Sequence, residues 1–189
     1  IESQKSKVQS QKLEILDIGT GTGCIPISVK TNLPQANVSA IDVSEKALEV
    51  AKRNAVSNNV EVNFIQANIL EVEDLNQLPS SITHHPSSYN IIVSNPPYVR
   101  NLEKQEIKKN VLDYEPHLAL FVEDTDALLF YRKIAQLALK NLAPNGLLFF
   151  EINQYLGKET VELLENLGFK NIELKKDIYG NDRMVKSTR

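Results

Sequence analysis

The sequence has little that would place the protein in a membrane, in a disulfide-stabilised scaffold or on nucleic acid. Its single cysteine, Cys24, cannot form an intrachain disulfide, which fits a reducing, cytoplasmic compartment. No apolar stretch approaches the roughly 18 residues that span a bilayer, so we expect no membrane contact. A net charge of −3 and a pI near 5.7 argue against a general polyanion binder, which usually carries a basic excess. Nucleic-acid contact through a local basic patch stays open but is not expected.

The beginning of the chain carries no initiator methionine and no apolar signal-peptide core. We therefore expect a fragment of a longer protein, with residues 1–12 as an N-terminal remnant or linker. Residues 13–189 are predicted to form one domain with a substantial core, because the chain is ordinarily globular, with 42% hydrophobic and 24% charged residues.

Short apolar runs of β-type alternate with helical patterns along the chain. This alternation is typical of an α/β fold with a mostly parallel sheet. The five predicted central strands are Leu13–Asp17, Val38–Asp42, Val60–Gln66, Tyr89–Ser94 and Leu147–Glu151. Two last strands, Asn171–Asp177 and Arg183–Thr188, are expected to be joined by a turn at Tyr179–Asp182.

Helical segments are predicted between these strands. Ser44 is a typical N-cap for the helix after the second strand. A longer helix is expected from about Thr125 to Leu142, where Pro144-Asn145-Gly146 would break it and turn the chain into the fifth strand. Another helix is predicted from Gly157 to Leu167, with Gly168 as its C-cap.

Two polar stretches are predicted to be loops. Asn76–Ser88 is expected at the surface, and Asn101–Asn110 is expected to be a mobile loop or exposed helix that acts as a lid. His84 and His85 lie in the first of these without the spacing of metal ligands, so no metal site is predicted.

A glycine-rich loop follows the first predicted strand and opens a helix. Its glycines let the backbone turn tightly and approach a ligand, and the helix start adds free N–H groups. In open α/β sheets, ligands bind in the crevice at the carboxyl ends of the strands. We therefore predict a cofactor site formed by Asp17, Gly19, Thr20, Gly21, Thr22 and Gly23.

Asp42 ends the second strand, at the place from which a carboxylate accepts hydrogen bonds from ribose hydroxyls. A ligand with an adenosine moiety is therefore predicted. A nicotinamide dinucleotide is the rival, but its fingerprint needs glycine or alanine where this chain has Cys24. Asp17 would repel a pyrophosphate and suits a cationic tail, such as that of S-adenosylmethionine. A ligand-free strand-to-helix turn is the remaining alternative.

The tetrapeptide Asn95-Pro96-Pro97-Tyr98 follows the fourth predicted strand. Neither proline can extend a strand ladder, so the chain forms a stiff corner whose carbonyls face a cleft. The side-chain oxygen of Asn95 and the carbonyl of Pro96 would each accept one N–H of a planar amide or amine, which would aim its lone pair at a methyl group on sulfur. Tyr98 would form a wall of the pocket. Asn95, Pro96 and Tyr98 are the predicted catalytic residues, Pro97 joins them in contacting substrate, and Asn95 also contacts the cofactor. A plain strand-to-loop break is the alternative.

With these motifs the chain resembles the release-factor glutamine methyltransferases, or HemK family. Beyond the glycine loop, Asp42 and the Asn-Pro-Pro-Tyr corner, the resemblance rests on Tyr114-Glu115-Pro116, Ala119-Leu120, Glu151 and Gly180-Asn181-Asp182-Arg183. It implies a class I S-adenosylmethionine-dependent methyltransferase, with a Rossmann-like, seven-stranded, mostly parallel sheet and helices on both faces. Residues 13–189 would be the catalytic domain, and the family's N-terminal helical domain is absent from this chain.

The resemblance also implies an activity and a partner. The family methylates the side-chain amide nitrogen of a glutamine in the Gly-Gly-Gln loop of peptide chain release factors, by direct in-line transfer, and produces S-adenosylhomocysteine. The resemblance assigns Glu115 to the substrate side. It also places Asn68 and Ile69 near the adenine, where Asn68 replaces the family's usual acidic residue. Two alternatives stay open: a nucleic-acid amino methyltransferase acting on adenine or guanine, and a non-catalytic, cofactor-binding partner subunit.

Overall fold

The computed structural model describes residues 12–78, 86–100, 102–103, 121–122 and 124–189. The strands of these residues are β1 Glu14–Ile18, β2 Asn37–Asp42, β3 Asn63–Gln66, β4 Tyr89–Ser94, β5 Val99–Arg100, β6 Phe121–Val122, β7 Leu142–Glu151, β8 Lys170–Lys176 and β9 Asp182–Thr188. The helices are α1 Cys24–Asn32, α2 Glu45–Ser57, α3 Leu129–Asn141 and α4 Gly157–Leu167, with 3-10 turns at Leu75–Gln77 and Asp124–Asp126.

Seven strands form one sheet in the order β3-β2-β1-β4-β7-β9-β8. The five strands from β3 to β7 run parallel, while β9 is antiparallel to both of its neighbours. The order reverses direction between β1 and β4, which leaves a crevice at the carboxyl ends of these two strands. The predicted α/β architecture with a mostly parallel, seven-stranded sheet is therefore confirmed.

The core lies on both faces of this sheet. Leu16, Ile92 and Leu148 stand opposite one another on β1, β4 and β7, and all three are fully buried. They belong to a cluster that includes side chains of α3 and α4. The neighbouring Ile15 points to the other face, because strand residues alternate, and packs with Val29 of α1. Helices thus cover both faces, as predicted.

The predicted helix caps are confirmed at two termini. The backbone N–H of Ala47 donates to Ser44 Oγ at 3.2 Å, which caps α2. Gly168 ends α4 with φ of 97°, a left-handed conformation that glycine adopts without steric cost. The bounds of α4 match the predicted helix.

The transition from α3 to β7 differs from the prediction. α3 begins at Leu129, after the 3-10 turn, and ends at Asn141. β7 begins at the next residue, Leu142. Pro144-Asn145-Gly146 thus lies inside the bounds of the strand. Tyr89 of β4 stands opposite Leu142 and Ile91 opposite Leu147, so a shift in register absorbs the tripeptide. The left-handed φ of 61° at Asn145 makes this bulge, which sequence reading took for a turn between elements.

The third strand is shorter than predicted, because Val60 still bonds back to α2, which ends at Ser57. The N–H of Val60 donates to the carbonyl oxygen of Ala55 at 3.1 Å, and β3 begins only at Asn63. The β8–β9 turn is confirmed: Asp177 Oδ1 accepts from the backbone N–H groups of Tyr179 and Asn181.

The segment after the Asn-Pro-Pro-Tyr corner leaves the large sheet. β5 follows the corner directly and pairs in parallel with β6, so that Val99 stands opposite Phe121 and Arg100 opposite Val122. The corner is thus followed by a small second sheet that sequence reading did not predict. Glu115 and most of the predicted lid, with His84 and His85, lie outside the described residues.

Candidate active site

The glycine loop is held against the end of β2 by its own backbone. The N–H groups of Gly19 and Thr20 both donate to the carbonyl oxygen of Ile41, at 2.8 and 3.0 Å. Gly19, Gly21 and Gly23 all have a positive φ, between 56° and 83°. Such conformations favour glycine, so the three glycines are required by the path of the loop.

Asp42 orders this loop from the end of β2. Its Oδ2 accepts the N–H of Gly21 at 2.7 Å, and its Oδ1 accepts the N–H of Ser44 at 2.8 Å. Sequence reading gave Asp42 only a role toward ribose, and the structure adds this role toward the loop. Each carboxylate oxygen has a second lone pair, so the half-buried side chain can still accept hydrogen bonds from a ligand.

Asp17 is a buried carboxyl group in need of a partner. It is 1% exposed, and neither of its oxygens has a hydrogen bond of good geometry among the described residues. The buried Thr20 hydroxyl likewise has no such hydrogen bond among these residues. Burial raises the pKa of Asp17 from 3.8 to about 7; the nearby Thr20 hydroxyl partly lowers the pKa, and the negative charge of Asp42 raises it further. Asp17 belongs to β1, so the strand backbone holds its carboxyl group at this buried position. Its two oxygens are able to accept hydrogen bonds from a cationic group or from an N–H group of a ligand.

The remaining predicted cofactor residues are Thr22, Asn68 and Ile69. Thr22 is exposed and, with Cys24, lines a groove of about 410 Å³ between α1 and α2. Asn68 uses its side chain within its own turn, since Oδ1 accepts from Leu70 N and Nδ2 donates to Glu71. Ile69 is buried in the main core cluster. The contacts of these residues with a cofactor stay predictions.

The Asn-Pro-Pro-Tyr corner stands directly beside the glycine loop. Ser94 pairs with Ile18 in the β1–β4 register, and the next residue, Asn95, is exposed while Pro96 is buried. A Cβ built on Gly19 would lie 3.8 Å from the carbonyl oxygen of Asn95. The corner and the loop are therefore brought together at the switch point, where the strand order reverses between β1 and β4. Asn95 is exposed there and can be reached by a substrate.

Tyr98 is anchored to the end of β7. Its hydroxyl donates to Glu151 Oε1 at 3.0 Å, and its carbonyl oxygen accepts from Asn153 Nδ2 at 2.9 Å. Burial, followed by the charge and hydrogen bond of Glu151, raises the pKa of Tyr98 to about 12, although Arg183 opposes the rise. The hydroxyl therefore remains a hydrogen-bond donor at neutral pH. Glu151 is among the residues that carry the family resemblance, whereas Asn153, just beyond the end of β7, was not predicted from the sequence.

The sheet order, the glycine loop at the switch point and the acid at the end of β2 together define a class I methyltransferase fold. The solved structure of a methyltransferase from Pyrococcus furiosus superposes with a TM-score of 0.66 at 18% identity, covering 94% of this chain and 75% of that one. The predicted fold class is confirmed. The family and the fold imply S-adenosylmethionine as the methyl donor.

The chain belongs to the methyltransferase small domain family, which matches residues 4–117. A release factor glutamine methyltransferase from Flavobacterium psychrophilum is 67% identical over 181 residues, which cover 95% of this chain and 60% of that protein. One from Bacteroides thetaiotaomicron is 45% identical over 175 residues, with 93% and 60% covered. The chain thus spans about three fifths of the length of these curated relatives. The resemblance stated from the motifs is confirmed.

Two further findings concern what the described residues could bind. None of their helices is long and apolar enough to cross a membrane. Within the same part of the chain, no group of three or more His, Cys, Asp and Glu side chains is arranged to hold a metal ion.

Proposed function

We propose that residues 13–189 are the catalytic domain of an enzyme that methylates the side-chain amide nitrogen of a glutamine in the Gly-Gly-Gln loop of peptide chain release factors. The observation that carries this proposal is the exposed amide of Asn95, set beside the glycine loop at the switch point. The names of the relatives supply the acceptor. The single cysteine, Cys24, supports a cytoplasmic location.

The residues at the glycine loop fit S-adenosylmethionine, which supplies an electrophilic methyl group when bound and leaves as S-adenosylhomocysteine. The carboxyl of Asp17, which has no hydrogen-bond partner among the described residues, would accept the amino group of the methionine tail, since it is buried and its oxygens can accept donors. Asp42 would accept ribose hydroxyls with its remaining lone pairs. Asn68 and Ile69 follow β3 at the same edge of the sheet and would approach the adenine.

The corner would hold the acceptor by hydrogen bonds to both hydrogens of the glutamine amide. One would go to Asn95 Oδ1 and the other to the carbonyl oxygen of Pro96, which leaves the nitrogen lone pair directed at the loop. Pro97 keeps this corner rigid, and Tyr98 would form the wall against the planar amide. Positioning of this kind can supply on the order of 7–11 kcal/mol of a barrier, and it requires no covalent intermediate on the enzyme. Glu115 belongs to the same proposal as a substrate-side residue.

The test is transfer of a labelled methyl group by the full-length protein. A release factor, the same factor with its loop glutamine replaced by alanine, and bulk RNA and DNA are offered as acceptors. We expect label in the unmodified release factor alone. Label in nucleic acid, with none in the release factor, would overturn the proposal in favour of the nucleic-acid alternative.

A pair of variants tests the corner itself. Asn95→Ala should abolish transfer while S-adenosylhomocysteine still binds, because Asn95 lies on the acceptor side of the loop. Asn76→Ala makes the same chemical change at an exposed position in a 3-10 turn and should transfer as the wild type does. Wild-type turnover by Asn95→Ala would refute the role of the corner.

A further inference from the structure

Asn153 is a buried amide that joins the end of β7 to the residues after the corner. It is 3% exposed, and its Nδ2 donates both to the carbonyl oxygen of Tyr98 at 2.9 Å and to Glu103 Oε2 at 2.8 Å. Its Oδ1 accepts the N–H of Tyr155 at 2.9 Å, and its own N–H donates to the Tyr131 hydroxyl at 3.2 Å. Both side-chain hydrogens and the side-chain oxygen have partners, so the amide has one orientation.

Glu103 is the second member of this network. It is 6% exposed, a burial that is costly for a carboxylate unless donors surround it. Arg100 donates to it through Nε at 2.6 Å and through its backbone N–H at 3.2 Å, and Nη2 of the same guanidinium forms an ion pair with it. The Asn153 amide also donates to this carboxylate. The guanidinium of Arg100 in turn lies over the Tyr155 ring, 5.9 Å from Cζ to the ring centroid. Glu103 therefore fixes the chain just beyond the corner.

These contacts fix the corner from its far side. Tyr98 is held twice by the end of β7, through its hydroxyl by Glu151 and through its carbonyl by Asn153. On the near side, Ser94 is held by Ile18 of β1. The residues between these anchors include two prolines, so little freedom remains within the corner. The backbone path of the corner is thus set by the anchors.

The geometry points to Asn153 and Glu103 as positioning residues for methyl transfer: Asn153 holds Tyr98, Glu103 holds Asn153 and Arg100, and together they keep the acceptor corner at the distance that the reaction needs. The inference rests on the proposed function for its acceptor. Neither residue belongs to the glycine loop or the corner. They lie on the β7 side of β4, whereas the glycine loop and Asp42 lie on the β1 side. Their loss should therefore lower turnover and leave cofactor affinity unchanged.

Asn153→Asp is the informative variant, since it keeps the size of the side chain but removes both donors and faces the carboxylate of Glu103 with a second charge. We expect kcat for the release factor to fall about 10- to 100-fold. The Kd of S-adenosylhomocysteine, measured by calorimetry, should stay within about twofold of wild type. Asn171→Asp, the same change at an exposed position on β8, should leave both quantities unchanged.

Amide exchange measured by NMR gives a readout that does not depend on turnover. The Arg100 N–H, which donates to Glu103, should exchange faster in Asn153→Asp. The Gly21 N–H, which donates to Asp42, should exchange at the wild-type rate. Faster exchange at both amides would mean a general loosening and would overturn a local positioning role.

Glu103→Gln, introduced into the Asn153→Asp background, tests the contact itself. The new amide can donate to the new carboxylate, so the hydrogen bond is restored with its direction reversed. We expect the double variant to recover part of the kcat that Asn153→Asp loses, which a merely structural role would not produce. Additive losses would overturn the proposal.

The outcomes separate this inference from the proposed function. If the wild type labels the release factor and Asn153→Asp labels it equally fast, the inference fails and the proposed function stands. If the wild type labels nucleic acid instead, the proposed function fails. The same kcat comparison on that acceptor, together with the exchange of the Arg100 amide, then decides the inference.

Discussion

Ser94 donates its hydroxyl hydrogen to the carbonyl oxygen of Ile18 at 2.6 Å, across the register pair that joins β4 to β1. Both residues are buried, and each is the last residue of its strand. The residue after Ile18 opens the glycine loop, and the residue after Ser94 is Asn95. This buried hydrogen bond therefore joins the two strand ends from which the loop and the corner begin.

Replacing Ser94 with alanine should lower the free energy of unfolding by about 1–3 kcal/mol, because a buried carbonyl loses a partner. Urea unfolding measures this change. Ser187→Ala is the matched control: this serine is also fully buried, but its hydroxyl has no partner among the described residues. Removing it should leave stability unchanged or raise it. Equal losses in the two variants would show that the Ser94 bond has no special weight.

Asp17 should make stability and cofactor affinity depend on pH. Its pKa rises from 3.8 in the unfolded chain to about 7 in the folded protein, so the unfolded chain ionises first and the unliganded protein loses stability as pH rises between these values. Asp17→Asn removes this loss. The variant should therefore exceed the wild type in stability by on the order of 2–4 kcal/mol at pH values above about 7, and by progressively less as the pH falls.

Cofactor affinity should depend on pH in the opposite direction to stability, since only ionised Asp17 attracts the cationic amino group. Wild-type affinity for S-adenosylhomocysteine should rise with pH up to about 7, and that of Asp17→Asn should be weaker and lack this rise. Calorimetry between about pH 5.5 and 7.5 covers this range, below the pKa of the ligand's own amino group. Parallel curves for the two proteins would contradict the assignment.

Gly21 and Gly23 should respond differently to replacement by alanine. A Cβ at Gly23 would stand 3.0 Å from Ala51 Cβ and 3.1 Å from Ile27 Cδ1, in addition to the strain of a φ of +83°. Gly23→Ala should therefore cost about 2–4 kcal/mol of stability. A Cβ at Gly21 meets nothing within 4 Å, so Gly21→Ala should cost only about 1 kcal/mol, from its positive φ.

The same pair separates folding from binding. At Gly21 the added methyl group would occupy the open space beside the loop. The free energy of S-adenosylhomocysteine binding should therefore weaken by more than the free energy of unfolding falls. Thermal unfolding and calorimetry on both variants provide the comparison. A larger loss of stability in Gly21→Ala than in Gly23→Ala would contradict the packing described for α1 and α2.

Asp42→Asn should lower the stability of the glycine loop as well as the affinity for the ligand. One acceptor oxygen remains, but the new NH2 group faces a backbone N–H of either Gly21 or Ser44. Stability should fall by about 1–3 kcal/mol, and S-adenosylhomocysteine affinity should fall with it. Asp126→Asn, which breaks an ion pair with Arg132 whose side chains are both 40% exposed, should cost at most about 1 kcal/mol. An unchanged affinity in Asp42→Asn would remove Asp42 from the cofactor site.

The central strands could be predicted because each rests on a local pattern, whereas their order in the sheet appears only in the folded chain. Tyr89–Ser94 was predicted to the residue, since an apolar run is bounded there by a polar loop and by prolines. The predicted break at Pro144-Asn145-Gly146 was wrong, because a register shift against β4 absorbs these residues. No local pattern reports a bulge whose cause is the pairing of another strand.

For the candidate site, the residue types can be recognised without the structure: a glycine loop, the acids Asp17 and Asp42, and the stiff corner at Asn95-Pro96-Pro97-Tyr98. These follow from conformational freedom, charge and the missing proline N–H, which are properties of single residues. Three features appear only in the folded chain: Asp42 orders the loop, Asp17 is buried with no hydrogen-bond partner among the described residues, and Asn153 joins the carbonyl oxygen of Tyr98 to Glu103. The reason is physical: a hydrogen bond between residues about 50 positions apart depends on where the folded backbone brings their atoms, and no neighbour in sequence carries that information.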